Sequence, residues 1–249
     1  MRNPGTGKVA RGARELGAEA GHVAREAASA VEHELASMRL EEPYWPAQLA
    51  VAAALLLYLV LPETLTIGPR WLLPALEGGL LLGLTVTTPH RHHQESRRRR
   101  VVAIGLIALV SATNAVALGL LAHYLLKGGK ANGHTLILSG AVIWLTNVIL
   151  FGLWYWELDR GGPGRRLHPE EQGLPDFLFP QMSDPSLCAP GWKPSFIDYI
   201  YVSFTNATAF SPTDTMPLTG MAKGLMSFQA LVSLVTIGLV VSRAVNILS

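Results

Sequence analysis

The chain has 249 residues, a formal net charge of +2 and an apolar content of 49%. Its apolar residues lie in uncharged runs such as "QLAVAAALLLYLVL" and "VVAIGLIALVSATNAVALGLLAHYLL", which a water-soluble core does not need, so a soluble globular protein is excluded. Cys188 is the single cysteine, which excludes an intramolecular disulfide and a thiolate metal cluster.

Residues 1–43 are polar and rich in Ala, Glu and Arg, with Val9, Leu16, Val23 and Ala30 recurring every seven residues. That spacing predicts an amphipathic extramembrane helix with a narrow seam of small residues. Self-association, attachment to the membrane surface and a simply solvated helix all fit it. No secretory signal is expected, since the first apolar run starts only near Trp45.

A three-span membrane bundle is expected over residues 44–134. Its first span runs from Trp45 to Leu61, stopped by Pro62, and its second from Trp71 to Thr88. A basic loop, "PHRHHQESRRRR", leads to the third span, Val101 to Leu126. His90, His92 and His93 have metal-binding chemistry, but five arginines beside them repel cations. Contact with anionic lipid or a topology-setting role suits that loop better, and neither metal nor cofactor is expected.

Residues 135–249 make up the second membrane part. A fourth span from Thr135 ends in the aromatic "WYW" at Trp156. The connector 157–194 holds seven prolines and no helical period, so an irregular extramembrane segment is expected. Ser195 and Asp198 then stand as a capping box opening an apolar helix to about Thr208. Such a helix covers about 20 Å, two-thirds of the roughly 30 Å hydrocarbon layer. Carbonyls ending at that depth are tolerated only against protein or in a wet cavity, and their negative end favours a cation. A re-entrant loop over 195–217 is therefore expected, followed by a last helix over 221–248. The fold class read from the sequence is all-α: five transmembrane helices, a re-entrant pore helix and loop, and the N-terminal amphipathic helix.

The stretch Ser203, Phe204, Thr205, Asn206, Ala207, Thr208, Ala209, Phe210, Ser211, Pro212, Thr213, Asp214, ending at Pro217, resembles the pore loop of potassium-type P-loop channels. That loop reads S-F-T-T-x-T-T-V-G-Y-G-D-x-x-P; Thr205, Thr208, Asp214 and Pro217 match, and Gly238 falls where those channels often hinge. The resemblance implies an outer helix, pore helix, filter strand and inner helix, with four copies around one axis. It also implies an ion path lined by Thr208, Ala209, Phe210, Ser211, Pro212, Thr213 and Asp214. Ser211 and Thr213 replace both filter glycines and Pro212 the tyrosine, so a ring of potassium-selective carbonyls is not expected. The chain from about Ala47 onward also resembles an uncharacterised family of bacterial multispan membrane proteins. Asp198-Tyr199, Ser203-Phe204-Thr205, Thr213-Asp214, Thr219 and Val245-Asn246-Ile247 follow that family's plan. This second resemblance implies a bacterial cytoplasmic (inner) membrane protein and carries no known chemistry.

Three polar residues fall inside predicted spans. Glu77 reads either as a functional intramembrane carboxylate or, with Pro74 opening its helix, as a first-turn acid near the interface. Asn114 and Asn147 lie close to mid-span on helices joined by a tight loop. A mutual hydrogen bond is the economical expectation, a polar pathway the alternative.

Lys and Arg number six in residues 1–43 and five in loop 89–100, against one in loop 62–70 and two in loop 127–134. This bias favours a cytoplasmic N-terminus. A re-entrant loop then puts the connector in the cytoplasm, upside down relative to potassium channels and as in glutamate-receptor pores. A full crossing by 196–213, giving six spans, is the competing topology.

No hydrolase, zinc-protease, nucleotide-binding or dinucleotide motif appears, so no enzyme is expected. Basic residues without interleaved aromatics beside a membrane argue against nucleic acid. The expected function is a weakly selective cation pore built as a homotetramer in the bilayer, with monovalent cations as candidate permeants. A non-conducting scaffold or subunit and a small secondary transporter are the alternatives.

Overall fold

Five apolar runs of the sequence become helices: α1 (Trp45–Val60), α2 (Leu72–Val86), α3 (Arg97–Leu126), α4 (Gly133–Leu158) and α6 (Gly220–Leu248). Between the last two lies α5 (Phe196–Thr208). The computed structural model describes residues 44–66, 69, 71–86, 97–127, 133–166, 173–189, 192–208 and 214–248. The expected amphipathic helix and the histidines of the basic loop lie outside these residues.

Among the described residues three helices, α3, α4 and α6, are long and apolar enough to cross a membrane, while α1 is a shorter apolar helix. The protein is thus an all-α membrane protein with three candidate spanning helices. Proline sets both ends of α1. Pro46 opens its first turn, and Leu61, extended at ψ 142°, leads into Pro62.

Helix α4 is the axis around which the others pack. Of its apolar stretch 67% is buried, against 28% for α3 and 17% for α6. It runs antiparallel to α3, with Arg100 Nε 3.5 Å from Glu157 Oε1 at one end and Asn114 bonded to the Ile143 carbonyl further along. Against α6 it is antiparallel too: Asn147 meets Ser233, and Gly140 abuts Val240 further down. Two apolar clusters fill the interior. One gathers Ile107, Phe151, Tyr155, Phe177, Tyr199 and Val202 toward the Arg100 end, and the other gathers Tyr58, Leu61, Leu65, Leu121 and Ile143 toward the far end.

The described parts of the connector, expected to be irregular, hold short regular elements. Helix α4 continues to Leu158 and closes with a 3₁₀ turn, Asp159–Gly161, in which Arg160 adopts a left-handed φ of 54°. Gly162 follows at φ 101°, and a Cβ there would lie 3.0 Å from the Glu157 carbonyl, so glycine fits both the angle and the space. Short helical turns at Pro163–Arg166, Pro180–Ser183 and Pro185–Leu187 come next. Strand β1 (Phe177–Leu178) pairs antiparallel with β2 (Met216–Pro217). The Asp184 carboxylate caps the third turn by accepting from Ser186 Oγ and the Ser186 N–H, which holds its pKa below the usual range. Proline limits helix length here, and among the described residues side-chain contacts and short turns take its place.

Two expectations for the polar residues are corrected. Asn114 and Asn147 do not bond each other. Asn114 donates to the Ile143 carbonyl at 3.5 Å, and Asn147 donates to Ser233 Oγ at 3.0 Å, because Asn147 faces α6 rather than α3. Glu77 is not in the first turn of its helix, which starts at Leu72 and leaves Pro74 as its third residue. Glu77 is 1% exposed and its carboxyl sits against Thr113, near the middle of α3.

Candidate functional site: the short helix α5 and its supports

Helix α5 opens as its sequence predicts. Asp198 Oδ2 accepts from the Ser195 N–H and from Ser195 Oγ, both at 2.7 Å. The hydroxyl is therefore a donor to the acid, and the Asp198 N–H goes to the Ser195 carbonyl instead. Phe196, Tyr199, Val202, Ser203 and Ala207 are buried, while Ile197, Tyr201 and Phe204 are exposed. The helix thus has one face for its own chain and one for whatever surrounds it.

Its partners mark its course along α4. The Phe196 ring packs edge-on to Trp156 at 5.8 Å, Ser203 Oγ donates to the Val148 carbonyl at 2.6 Å, and Trp144 Nε1 donates to the Ala207 carbonyl at 3.4 Å. From Trp156 to Trp144, α5 descends antiparallel to α4. It lies parallel to α6, with Asn206 Nδ2 bonded to the Met226 carbonyl at 2.9 Å. The helix ends at Thr208, whose hydroxyl satisfies the Thr205 carbonyl at 2.8 Å.

Residues 216–219 lie where α5 begins. Met216 pairs with Leu178, the Leu218 N–H donates to the Asp176 carbonyl at 2.8 Å, and Thr219 Oγ1 donates to Asp176 Oδ1 at 2.6 Å. Asp176 is in turn tied to Asp159, its N–H donating to Oδ1 at 2.8 Å. Both α5 and α6 therefore start at the connector end of α4.

A buried ionic cluster holds that end together. Asp159 is fully buried; Tyr199 Oη donates to its Oδ2 at 2.6 Å, and Arg160 Nε lies 3.8 Å from the same oxygen. Arg166 Nη1 donates to the carbonyls of Trp156 at 2.6 Å and Asp159 at 3.1 Å, so a cation closes the negative end of α4. Its guanidinium also sits over the Tyr199 ring at 5.2 Å and the Trp156 ring at 5.7 Å. Deeper in, Gln229 on α6 is a hub. Its amide oxygen accepts from Tyr155 Oη and Asn206 Nδ2, and its Nε2 donates to Ser203 Oγ and the Ser203 carbonyl.

Of the residues expected to line an ion path, Thr208 is half-buried at the tip of α5 and Asp214 is exposed. Ala209, Phe210, Ser211, Pro212 and Thr213 lie outside the described residues. Gly238, the hinge candidate, is exposed in an unbroken α6, and a Cβ there would meet nothing within 4 Å. Glu77, Asn114 and Asn147 are buried, the first two on the α2–α3 side of α4 and Asn147 against α6. Among the described residues no group of His, Cys, Asp or Glu is placed to hold a metal ion. No protein-family model, curated protein or solved structure significantly matches the chain.

Sequence reasoning missed the supports: Tyr155, Asp159, Arg166, Asp176, Tyr199 and Gln229. Only Gln229 carried a readable signal, as an amide inside the otherwise apolar "SFQALVSLVT". The others sit at span ends or in the connector, where polar residues are ordinary.

Proposed function

We propose that this protein is an ion-channel-like membrane protein whose re-entrant segment, α5 through Pro217, forms a weakly selective cation pore in a homotetramer. One observation carries the reading: α5 and α6 start at the same end of α4, while α5 stops after 13 residues, level with Trp144. At 1.5 Å per residue it reaches about 20 Å, short of a roughly 30 Å hydrocarbon core. A chain that turns back at that depth needs a neighbouring protein surface or a wet cavity.

In this reading α1 to α4 and α6 are five spans and α5 is the pore helix. Asp214 supplies negative charge at the mouth, and the stretch from Thr208 to Asp214 lines the narrow part. Each chain contributes one side of the path, so closure requires symmetry-related copies. The outward faces of α5 and α6, with Ile197, Tyr201, Phe204, Leu231 and Leu234, are available to them. The membrane is the bacterial inner membrane, and monovalent cations are the permeants. Tetrameric mass in mild detergent together with cation flux in proteoliposomes tests the proposal. A monomer or dimer, or flux no greater than that of a Ser211→Ala/Asp214→Asn double variant, rejects it.

A non-conducting scaffold is the second reading, favoured by the closed network around Gln229. Asn206, Ser203 and Tyr155 are bonded within one chain and offer no free group to an ion at that level. Absence of flux from an intact tetramer selects this reading.

A further inference from the structure

The geometry assigns a proton-binding site to Glu77, whose carboxyl carries a proton within the membrane bundle and donates it in a hydrogen bond to Thr113. Thr113 has one hydroxyl hydrogen for two neighbouring oxygens. Thr113 Oγ1 lies 3.1 Å from the Leu109 carbonyl and 3.3 Å from Glu77 Oε1. A hydroxyl has one proton to give, and both neighbouring oxygens are acceptors if Glu77 is ionised. The bond to the carbonyl four residues back is the shorter one. It is also the habit of helical hydroxyls in this protein: Ser111, Ser139, Thr205 and Thr236 all donate to residue i−4, at 2.7 to 2.9 Å. With the Thr113 proton directed at Leu109, the contact with Glu77 is a hydrogen bond only if the carboxyl supplies the proton.

The surroundings agree. Glu77 is 1% exposed, and Thr113 is its one hydrogen-bonding partner among the described residues. Among the described residues, the elements packed against α2 bring no cation to it. Helix α1 carries no charged residue along its length, and α3 carries none between Val101 and Ala122. Arg100 is engaged with Glu157 at one end of α3, His123 lies at the other end, and Glu63 in the preceding turn is exposed. The remaining titratable groups, Tyr58 and Tyr124, belong to the apolar cluster at the His123 end. A carboxylate so placed has no compensating charge among the described residues, whereas a carboxylic acid needs only an acceptor, which Thr113 provides. This inference is independent of the pore reading, because it rests on α2 and α3 and not on α5.

Infrared difference spectroscopy on the full chain in phosphatidylcholine vesicles, wild type against Glu77→Gln, tests it at neutral pH. The expected difference is a protonated-carboxyl C=O band present in wild type and absent from E77Q. In Thr113→Val the band persists at a shifted position, since the acid loses its acceptor but keeps its proton. A carboxylate band in the wild-type difference spectrum, or no band assignable to Glu77, overturns the proposal. Should E77Q not fold, Thr113→Val against wild type decides: a shifted protonated band sustains the assignment, and its absence ends it.

Discussion

Tyr199 Oη donates to Asp159 Oδ2 at 2.6 Å, joining two fully buried residues forty positions apart. Through this bond the first turn of α5 is fixed to the end of α4. The other oxygen of the same carboxylate holds Asp176, which in turn holds Thr219 ahead of α6. One aspartate therefore sets where both helices enter.

Removing the Tyr199 hydroxyl isolates that contribution. Tyr199→Phe keeps the ring against Phe177, Phe179 and Arg166 and deletes the hydroxyl that donates to Asp159. A buried carboxylate losing a donor costs about 1–3 kcal/mol. Thermal unfolding in detergent should show that loss, and unchanged stability would mean that Asp159 finds another donor.

Gln229 is expected to matter more than any single contact near it. Gln229→Leu removes the partner of Tyr155, Asn206 and Ser203 at once. Interhelical hydrogen bonds in membranes are modest singly, but four lost together come to about 2 kcal/mol. Denaturant titration measures this, and faster proteolysis near α5 should accompany it.

The seat of α5 on α4 is tight at Gly152. A Cβ there would lie 2.5 Å from Ile200 Cδ1 and 3.2 Å from the Ile200 Cα. The side-chain tip can move, but backbone at that distance must be displaced. Gly152→Ala should cost about 1–3 kcal/mol, whereas Gly238→Ala, which meets nothing, should be close to neutral. Equal unfolding midpoints for the two variants would contradict this packing.

The Arg100–Glu157 pair places the connector at the arginine-rich end of α3. The charge bias of the loops predicts a cytoplasmic position for that end. Cys188 should therefore resist a membrane-impermeant maleimide applied to intact cells and react in inverted vesicles. A Leu126→Cys/Cys188→Ser variant, with its thiol at the opposite end of α3, should show the reverse pattern. Labelling of both from one side would break the topology.

Asp214 tests the pore itself. Neutralising a ring of exposed carboxylates at a mouth lowers the local cation concentration, so Asp214→Asn should reduce cation flux by about 2–10-fold at low ionic strength. The effect should shrink as salt is raised. Flux that is insensitive to both changes would place the path elsewhere.

Local chemistry settled much of this protein in advance. The uncharged runs require lipid, Pro46 and Pro62 bound α1, and the Ser195–Asp198 pair opens a helix that stops at Thr208. Each depends on residues within a few positions of one another, which sequence displays directly. Partner choice was hidden. A helix apolar all round has no polar face to say which side meets a neighbour, so Asn114, Asn147 and Glu77 could be placed near mid-span but not paired. Their partners, Ile143, Ser233 and Thr113, appear only when the helices are packed. The decisive feature, α5 and α6 entering at the same end of α4, was equally undetermined. Where the two helices begin is fixed by long-range bonds that link Asp159 and Asp176 to each other and to Tyr199 and Thr219, and residues so far apart in sequence do not announce their pairing.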